Sequence, residues 1–255
     1  MIKAWLRNVQ FQNASYSFPV GYQEEGPVQR DDLLAYLGNE VSSNLIDPEY
    51  LKQIAEIAGL TTVRRYLDEY VITNVTSTKN GDFGEILGSL MLREKDDYLI
   101  PIHKLRYRET KNWSPRLTDI LALKVSDDIV QLVCYAEVKT RTKPDNGAGK
   151  EGYERLKKDS EVPHPEILHF VSARLWDTKN WPVLKLILQV FSSRADYVRE
   201  FRLFLIYDRD AWRAKVLDVI EEVQPDINNF SVQVVLLSSL QCLIDDCYSK
   251  AGLLA

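Results

Sequence analysis

The sequence predicts an α/β fold: a central mixed β-sheet flanked by helices, with a mostly helical N-terminal part. Two observations carry the prediction. Five short runs, Tyr98–Ile102, Leu117–Val125, Ile129–Thr140, Leu203–Tyr207 and Val232–Leu237, are β-branched and apolar and bounded by charged or polar turns, as strands are. Around them lie segments whose apolar residues recur at the period of a helix. The resulting order is helix, three strands, two helices, strands and a last helix, which suits a sheet covered by helices. At 255 residues, 45% of them hydrophobic, the chain can bury a sizeable core.

Taken in order, residues 1–30 are mixed and aromatic, with little periodicity. Asp31–Leu37 fits a short helix. Asp47-Pro48 starts a stronger one, a capping residue followed by proline at the first helical position. Leu51, Ile54, Ile57 and Ala58 mark its apolar face, and Gly59 ends it. Thr61 or Thr62 begins another, through Ile72. Residues 1–73 therefore read as an acidic, α-rich region suited to a partner, ahead of a second unit at 74–255. Asn74–Asp82 is a polar connector. Asp82 and Glu85 stand at capping-box spacing, and Ile86, Leu87, Leu90 and Met91 give the following helix an apolar stripe. Three strands follow, with Ser126-Asp127-Asp128 turning the chain between the last two. Gly147–Lys158 is a helix. Val183–Phe191 is a buried one, with Leu184, Leu186, Ile187, Leu188 and Val190. Ser238 or Ser239 caps a final helix to Tyr248.

Charge narrows the function class. The net charge is −5, which does not advertise nucleic-acid binding, but its distribution is uneven. Residues 1–72 carry 6 cations and 10 anions, and 175–255 carry 9 and 11, whereas 73–174 carry 17 and 16. Two basic stretches, 104–116 and 139–158, bracket the strand at 129–140. They are either solvated faces or a surface that meets phosphates. The N-terminus lacks a signal-peptide pattern, and no apolar run approaches the roughly 18 residues of a membrane span. The expected compartment is the cytoplasm. Three cysteines, Cys134, Cys242 and Cys247, make neither a disulfide framework nor a zinc site and read as apolar filling.

One constellation carries chemistry. If the hairpin turn centres on Asp128, strand positions whose numbers sum to 256 face each other, and Asp119 and Glu137 are such a pair. Directly opposed Cβ atoms lie about 5 Å apart, so two carboxylates there repel unless a cation lies between them. Lys139 shares the Glu137 face by strand alternation and offsets part of that repulsion. A hard divalent cation offsets more. Alone, Glu137 and Lys139 also fit a plain ion pair on an exposed sheet face. Both acids interrupt apolar strands, however, and a buried charge is costly unless paired or metal-bound.

At this point "GDFGEILGSLML", "LTDILAL" and "YAEVKT" together resemble the nuclease-subunit family of the Hachiman anti-phage system, within the PD-(D/E)xK nuclease superfamily. The pattern is Asp, 17 intervening residues, then Glu-x-Lys across two adjacent strands, after a helix bearing Glu. The likeness covers residues 75–175, and Thr118 stands where the superfamily's usual proline precedes the Asp. The resemblance implies a restriction-endonuclease-like core. It implies that Asp119 and Glu137 bind Mg²⁺ or Mn²⁺, with the Val138 backbone carbonyl as a further ligand. Lys139 would be the catalytic lysine and Glu85 the helix acid that assists the metal. It also implies DNA as substrate and a HamB-like superfamily-2 helicase as partner, holding the nuclease in check.

The remaining candidates have two readings each. Arg141, Lys143, Lys150 and Arg155 are candidate DNA contacts or solvent-facing charges. Tyr153, on the helix after the motif, is placed to face the active site. His103, His164 and His169 show no ligand spacing and read as structural. Trp176 and Trp181 belong to core or interface. Asp208 and Asp210 form a turn or a second acidic site. The sequence thus predicts a metal-dependent DNA nuclease, effector of a helicase–nuclease defence complex. The alternatives are a catalytically degenerate docking subunit and a stand-alone restriction-type endonuclease. The latter calls for a sequence-reading domain and a more basic surface, and neither is evident.

Overall fold

The computed structural model describes residues 1–10, 15–112, 118–161, 165–192 and 196–251. The chain opens with α1 (Ile2–Trp5), β1 (Leu6–Val9) and β2 (Val20–Glu25). Helices α2 (Arg30–Leu45), α3 (Pro48–Ala58) and α4 (Leu60–Tyr66) follow, α4 running into one π turn at Leu67–Val71. Next come α5 (Thr76–Glu94), a 3₁₀ turn at Lys104–Tyr107, β3 (Ile120–Ser126) and β4 (Ile129–Arg141). Helices α6 (Ala148–Glu161), α7 (Pro165–Asp177) and α8 (Trp181–Phe191) lead to β5 (Val198–Asp208), α9 (Lys215–Glu222), β6 (Phe230–Leu237) and α10 (Leu240–Lys250).

The predicted mixed sheet flanked by helices is present. Its six strands run β1-β2-β6-β5-β4-β3. The β4, β5, β6 and β2 strands are mutually parallel, and β3 and β1 close the two edges antiparallel. Side-chain alternation sends successive residues to opposite faces, and the core divides accordingly. Cys134, Ala136, Phe204, Ile206 and Val235 pack under α2, α5 and α10. Val133, Tyr135, Leu203, Leu205 and Val234 pack under α6 to α9. Strands β5 and β6 are buried on both faces along Leu203–Tyr207 and Val234–Leu237, which is why those stretches are continuous apolar runs. No helix among the described residues is long and apolar enough to cross a membrane.

The hairpin register is the predicted one, but the turn is not. Ile120 pairs with Ala136 and Leu121 with Tyr135, so the sum of 256 holds along the body of the hairpin. The turn has two central residues, Asp127 and Asp128, both at positive φ (50° and 61°), as tight hairpin turns require. Ser126 pairs with Ile129 and Val125 with Val130, and the register then shifts at Lys124/Val125. The extra residue, Gln131 on β4, is a bulge that restores the predicted register.

Several predicted elements differ. Asp82 and Glu85 are not a capping box, because α5 begins six residues earlier, at Thr76, and both acids lie buried in its middle. The Asn74–Asp82 connector is therefore mostly helical. The helix persists there because its next turns are pinned on the sheet, where packing outweighs polar composition. Tyr98–Ile102 is not a strand and contributes one bridge, Leu99 to Leu123. Strands β1 and β2 come from the region that seemed aperiodic, so the sheet draws on both sides of residue 73. Helices α7 and α9 were not predicted. Leu117 and His164 lie outside the described residues. Ser239 is the residue before α10 but makes no side-chain cap, and Asp208 Oδ2 accepts from the Leu240 N–H instead (2.9 Å). Asp208 also accepts from Asp210 N–H, so this pair is a turn. Leu188 and Cys242 are exposed rather than core. Trp176 and Trp181 are exposed too, which removes the core reading but not the interface one, and they meet edge to face at 4.9 Å.

Candidate active site at the hairpin and helix α5

Helix α5 lies close on β4 because it presents glycine at two positions one turn apart. A Cβ at Gly84 would collide with Thr140, and one at Gly88 would meet Ile120 Cδ1 at 2.9 Å and Val138 Cγ2 at 3.3 Å. This close approach brings Glu85 to the edge where β3 begins. Asp119 is the residue just before β3, in line with the hairpin register opposite Glu137. Its Oδ2 accepts the Val138 N–H at 2.9 Å, so the carboxylate is held at the end of the ladder. Glu137 and Lys139 lie on the central part of β4, between β3's edge and β5, on the face covered by α6.

The structure brings the predicted residues into one buried network, organised differently from the prediction. Lys139 Nζ lies 3.1 Å from Glu137 Oε1 and 2.7 Å from Glu151 Oε1. Arg155 Nε lies 3.4 Å from Glu137 Oε2. The exposed ion-pair reading is thereby excluded, since the Glu137 side chain is only 1% accessible and Lys139 8%. At the other end Lys104 Nζ sits 3.1 Å from Glu85 Oε2 and 3.6 Å from Asp119 Oδ1, and donates to the Thr118 carbonyl at 3.2 Å. Lys104 and Glu151 were missed by the sequence reading. The only signal for Lys104 was its place at the head of the basic stretch 104–116.

Burial dominates the electrostatics. It pushes the Glu85 carboxyl up to about 8, with Lys104 pulling the other way and Asp119 adding to the rise. It also pushes Glu137 up, helped by the Asp119 charge and opposed by Lys139 and Arg155. For Lys104, burial works against the charge, but Glu85 and Asp119 outweigh it and the ammonium is held in its charged form. Asp82, one turn before Glu85, is raised by burial against the pull of Arg108, its ion-pair partner, and also meets Tyr248 at 3.4 Å. Such a set of mutually perturbed buried acids and bases marks a functional site more often than a structural one.

The donor set fits a hard divalent ion. Glu137 Oε2 is buried with no hydrogen-bond partner, an acceptor left over in a charged cluster. Its neighbours offer carboxylate and carbonyl oxygens, the ligands of Mg²⁺ and Mn²⁺ rather than of zinc. Among the described residues no three His, Cys, Asp or Glu side chains form a metal cage. Mg²⁺ does not need one, since one or two carboxylates with water suffice.

The outer candidates divide. Arg141 pairs with Asp145 (2.6 Å) and Glu151 (3.4 Å), and Lys150 with Glu154 (3.8 Å). Lys143 is exposed beyond the end of β4. Tyr153 does not face the network: its ring packs on Phe230 at 5.1 Å and its hydroxyl donates to Asp226 at 2.8 Å. Tyr153 is separated from Glu151 by two residues on α6, which puts the two about 200° apart around the helix. His103 is half-buried against Asn44 Oδ1 (2.7 Å) and His169 is exposed, both outside any ligand set among the described residues. A surface groove of about 1080 Å³, lined by Tyr16, Tyr22, Trp212 and Asp218, is at the β1–β2 edge, the far side of the sheet from this network. We assign chemistry to the buried charges rather than to the larger volume.

Comparison with curated proteins returns no match. The family model HamA matches residues 2–251, nearly the whole chain and every element described above. The chain therefore belongs to the HamA family and is a component of the Hachiman defence system.

Proposed function

We propose that the chain is a metal-dependent DNA nuclease, the effector subunit of a cytoplasmic complex with a superfamily-2 helicase. One observation carries the reading: a buried Glu-x-Lys on β4 next to an aspartate held at the end of β3, with one Glu137 oxygen that makes no hydrogen bond and has the half-exposed Arg155 at 3.4 Å. Neither an ion pair nor a folding role calls for three acids and two lysines in one buried network. On this reading residues 74–255 carry a restriction-endonuclease-like core of the PD-(D/E)xK type, and 1–73 contribute a surface for the partner.

Asp119, Glu137 and the Val138 carbonyl would hold Mg²⁺, or Mn²⁺ in its place. The Val138 N–H donates to Asp119, and a strand residue's N–H and C=O leave on the same side, so that carbonyl points to the same edge. Bound there, the ion would supply Lewis acidity at the scissile phosphate and acidify water for attack. Lys139 lies beside Glu137 (3.1 Å), where it would orient the attacking water or hold a phosphate oxygen as the ammonium, or deprotonate that water as the free amine. Glu151 anchors Lys139 from α6. Arg141, Lys143, Lys150 and Arg155 form the rim that the DNA backbone would approach, with Arg141 exchanging its carboxylate partners for phosphate.

The test is cleavage of plasmid DNA with Mg²⁺, with and without the helicase. Glu137→Ala and Lys139→Ala should each lose at least about 100-fold in rate. Full activity in either variant would sink the assignment. Absence of cleavage by the unaltered protein under every partner condition would favour a docking subunit.

A further inference from the structure

Lys104 is the buried cation of the network that the sequence marked only as part of a basic stretch, and its side chain is 8% accessible. We infer that Lys104 serves as the fixed internal cation for Glu85 and Asp119, so that the site takes a single divalent ion on the Asp119–Glu137 side. Glu85 is then a positioning residue and not a metal ligand. This rests on the nuclease reading and sharpens it, because it assigns the stoichiometry and removes one residue from the ligand set.

Three observations support it. First, the hydrogen-bonding demand is unequal. Glu85 Oε2 has the buried Lys104 at 3.1 Å, whereas Glu137 Oε2 makes no hydrogen bond and its cation, Arg155 at 3.4 Å, is half exposed and free to give way. The call for an added cation comes from the β4 side. Second, Lys104 is anchored. Its Nζ donates to the Thr118 carbonyl at 3.2 Å, its side chain is 8% accessible, and it starts the 3₁₀ turn Lys104–Tyr107. Withdrawing it would leave the buried Glu85 carboxylate without its cation and Asp119 with only the Val138 N–H. Third, the space is small. The cavity bordered by Glu85, Lys104, Thr118, Asp119 and Phe170 measures about 30 Å³, room for one or two waters. Mg²⁺ sheds water reluctantly and keeps several, so it does not fit beside the lysine.

The experiment is titration of the full chain with Mn²⁺, followed by electron paramagnetic resonance and calorimetry. The expected result is one ion per chain, with Glu85→Gln changing the affinity by less than threefold. Lys104→Gln should admit a second ion, and Lys104→Arg should return the count to one. Two ions per unaltered chain, or a Glu85→Gln loss of threefold or more, would overturn the role of Lys104 and leave the nuclease reading standing. Glu85→Gln keeps shape and adds no buried charge, so it decides the matter even if Lys104→Gln does not fold. No Mn²⁺ binding by the unaltered chain would instead remove the nuclease reading, and this inference with it.

Discussion

Glu137 shows how a single residue sets function against stability. Its carboxyl is raised by burial and by the Asp119 charge. A carboxyl that ionises later in the folded than in the unfolded state costs stability as pH rises past its unfolded value of 4.5. The neutral isostere escapes that cost. Glu137→Gln should therefore be more stable than the parent at pH 8 by about 1–2 kcal/mol, a rise of a few degrees in Tm, with little difference at pH 4.5. The same variant should lose cleavage by at least about 100-fold. A fall in Tm at pH 8 would show that Glu137 is structural. His103 has the opposite sign. Burial first, then Arg106 and Arg93, hold it down at about 4 from an ordinary 6.5. Its contribution is complete above pH 6.5 and is lost as pH falls toward 4, at up to about 1.4 kcal/mol per pH unit. Denaturant midpoints of His103→Gln should lack that part of the acid slope, and an unchanged slope would refute the assignment. At this scale Asp119, Glu137 and Lys139 were legible because strand alternation and register act on neighbours in sequence. Lys104 was not, because its partners are 19 residues before and 15 after it and meet it only through the fold.

At the scale of the element, α5 on β4 is the packing that builds the site. Thr140 and Val138 fill the space that Gly84 and Gly88 leave. Threonine and valine are stiff at χ1, so neither gives way easily. Gly84→Ala should cost about 1–3 kcal/mol by overpacking and should weaken cleavage by lifting Glu85 from its place. Unchanged Tm would show that Thr140 rotates freely. Strands β5 and β6 were readable because burial on both faces makes Leu203–Tyr207 and most of Val232–Leu237 apolar. Strands β1 and β2 were not, because at the edge they stay partly exposed and carry Arg7, Glu24 and Glu25. The first turns of α5 were missed for a related reason. Thr76–Asp82 has little helical preference, and the capping-box spacing offered a plausible but wrong start.

Across the whole molecule, stability is unevenly spread. Strands β4 and β5 are covered on both faces, while α3 and α4 bury only Leu51 and Val63 and leave Tyr50, Ile57 and Leu60 exposed. Hydrogen exchange should be slowest in β4 and β5 and faster by at least about 100-fold in α3 and α4. Equal protection would mean that the helical pair is held by more than the contacts seen.

The amino-acid sequence alone determined the sheet-and-helix class, the hairpin register and three side chains of the candidate site. Each follows from short-range rules: burial writes an apolar run, the pleat has a period of two, and a charge inside such a run needs a partner. The tertiary structure alone decided where α5 begins, that β1 and β2 complete the sheet, and that Lys104 lies between Glu85 and Asp119. Those depend on distant segments meeting. There the energy of close packing and of pairing buried charge exceeds the local preferences that a sequence displays.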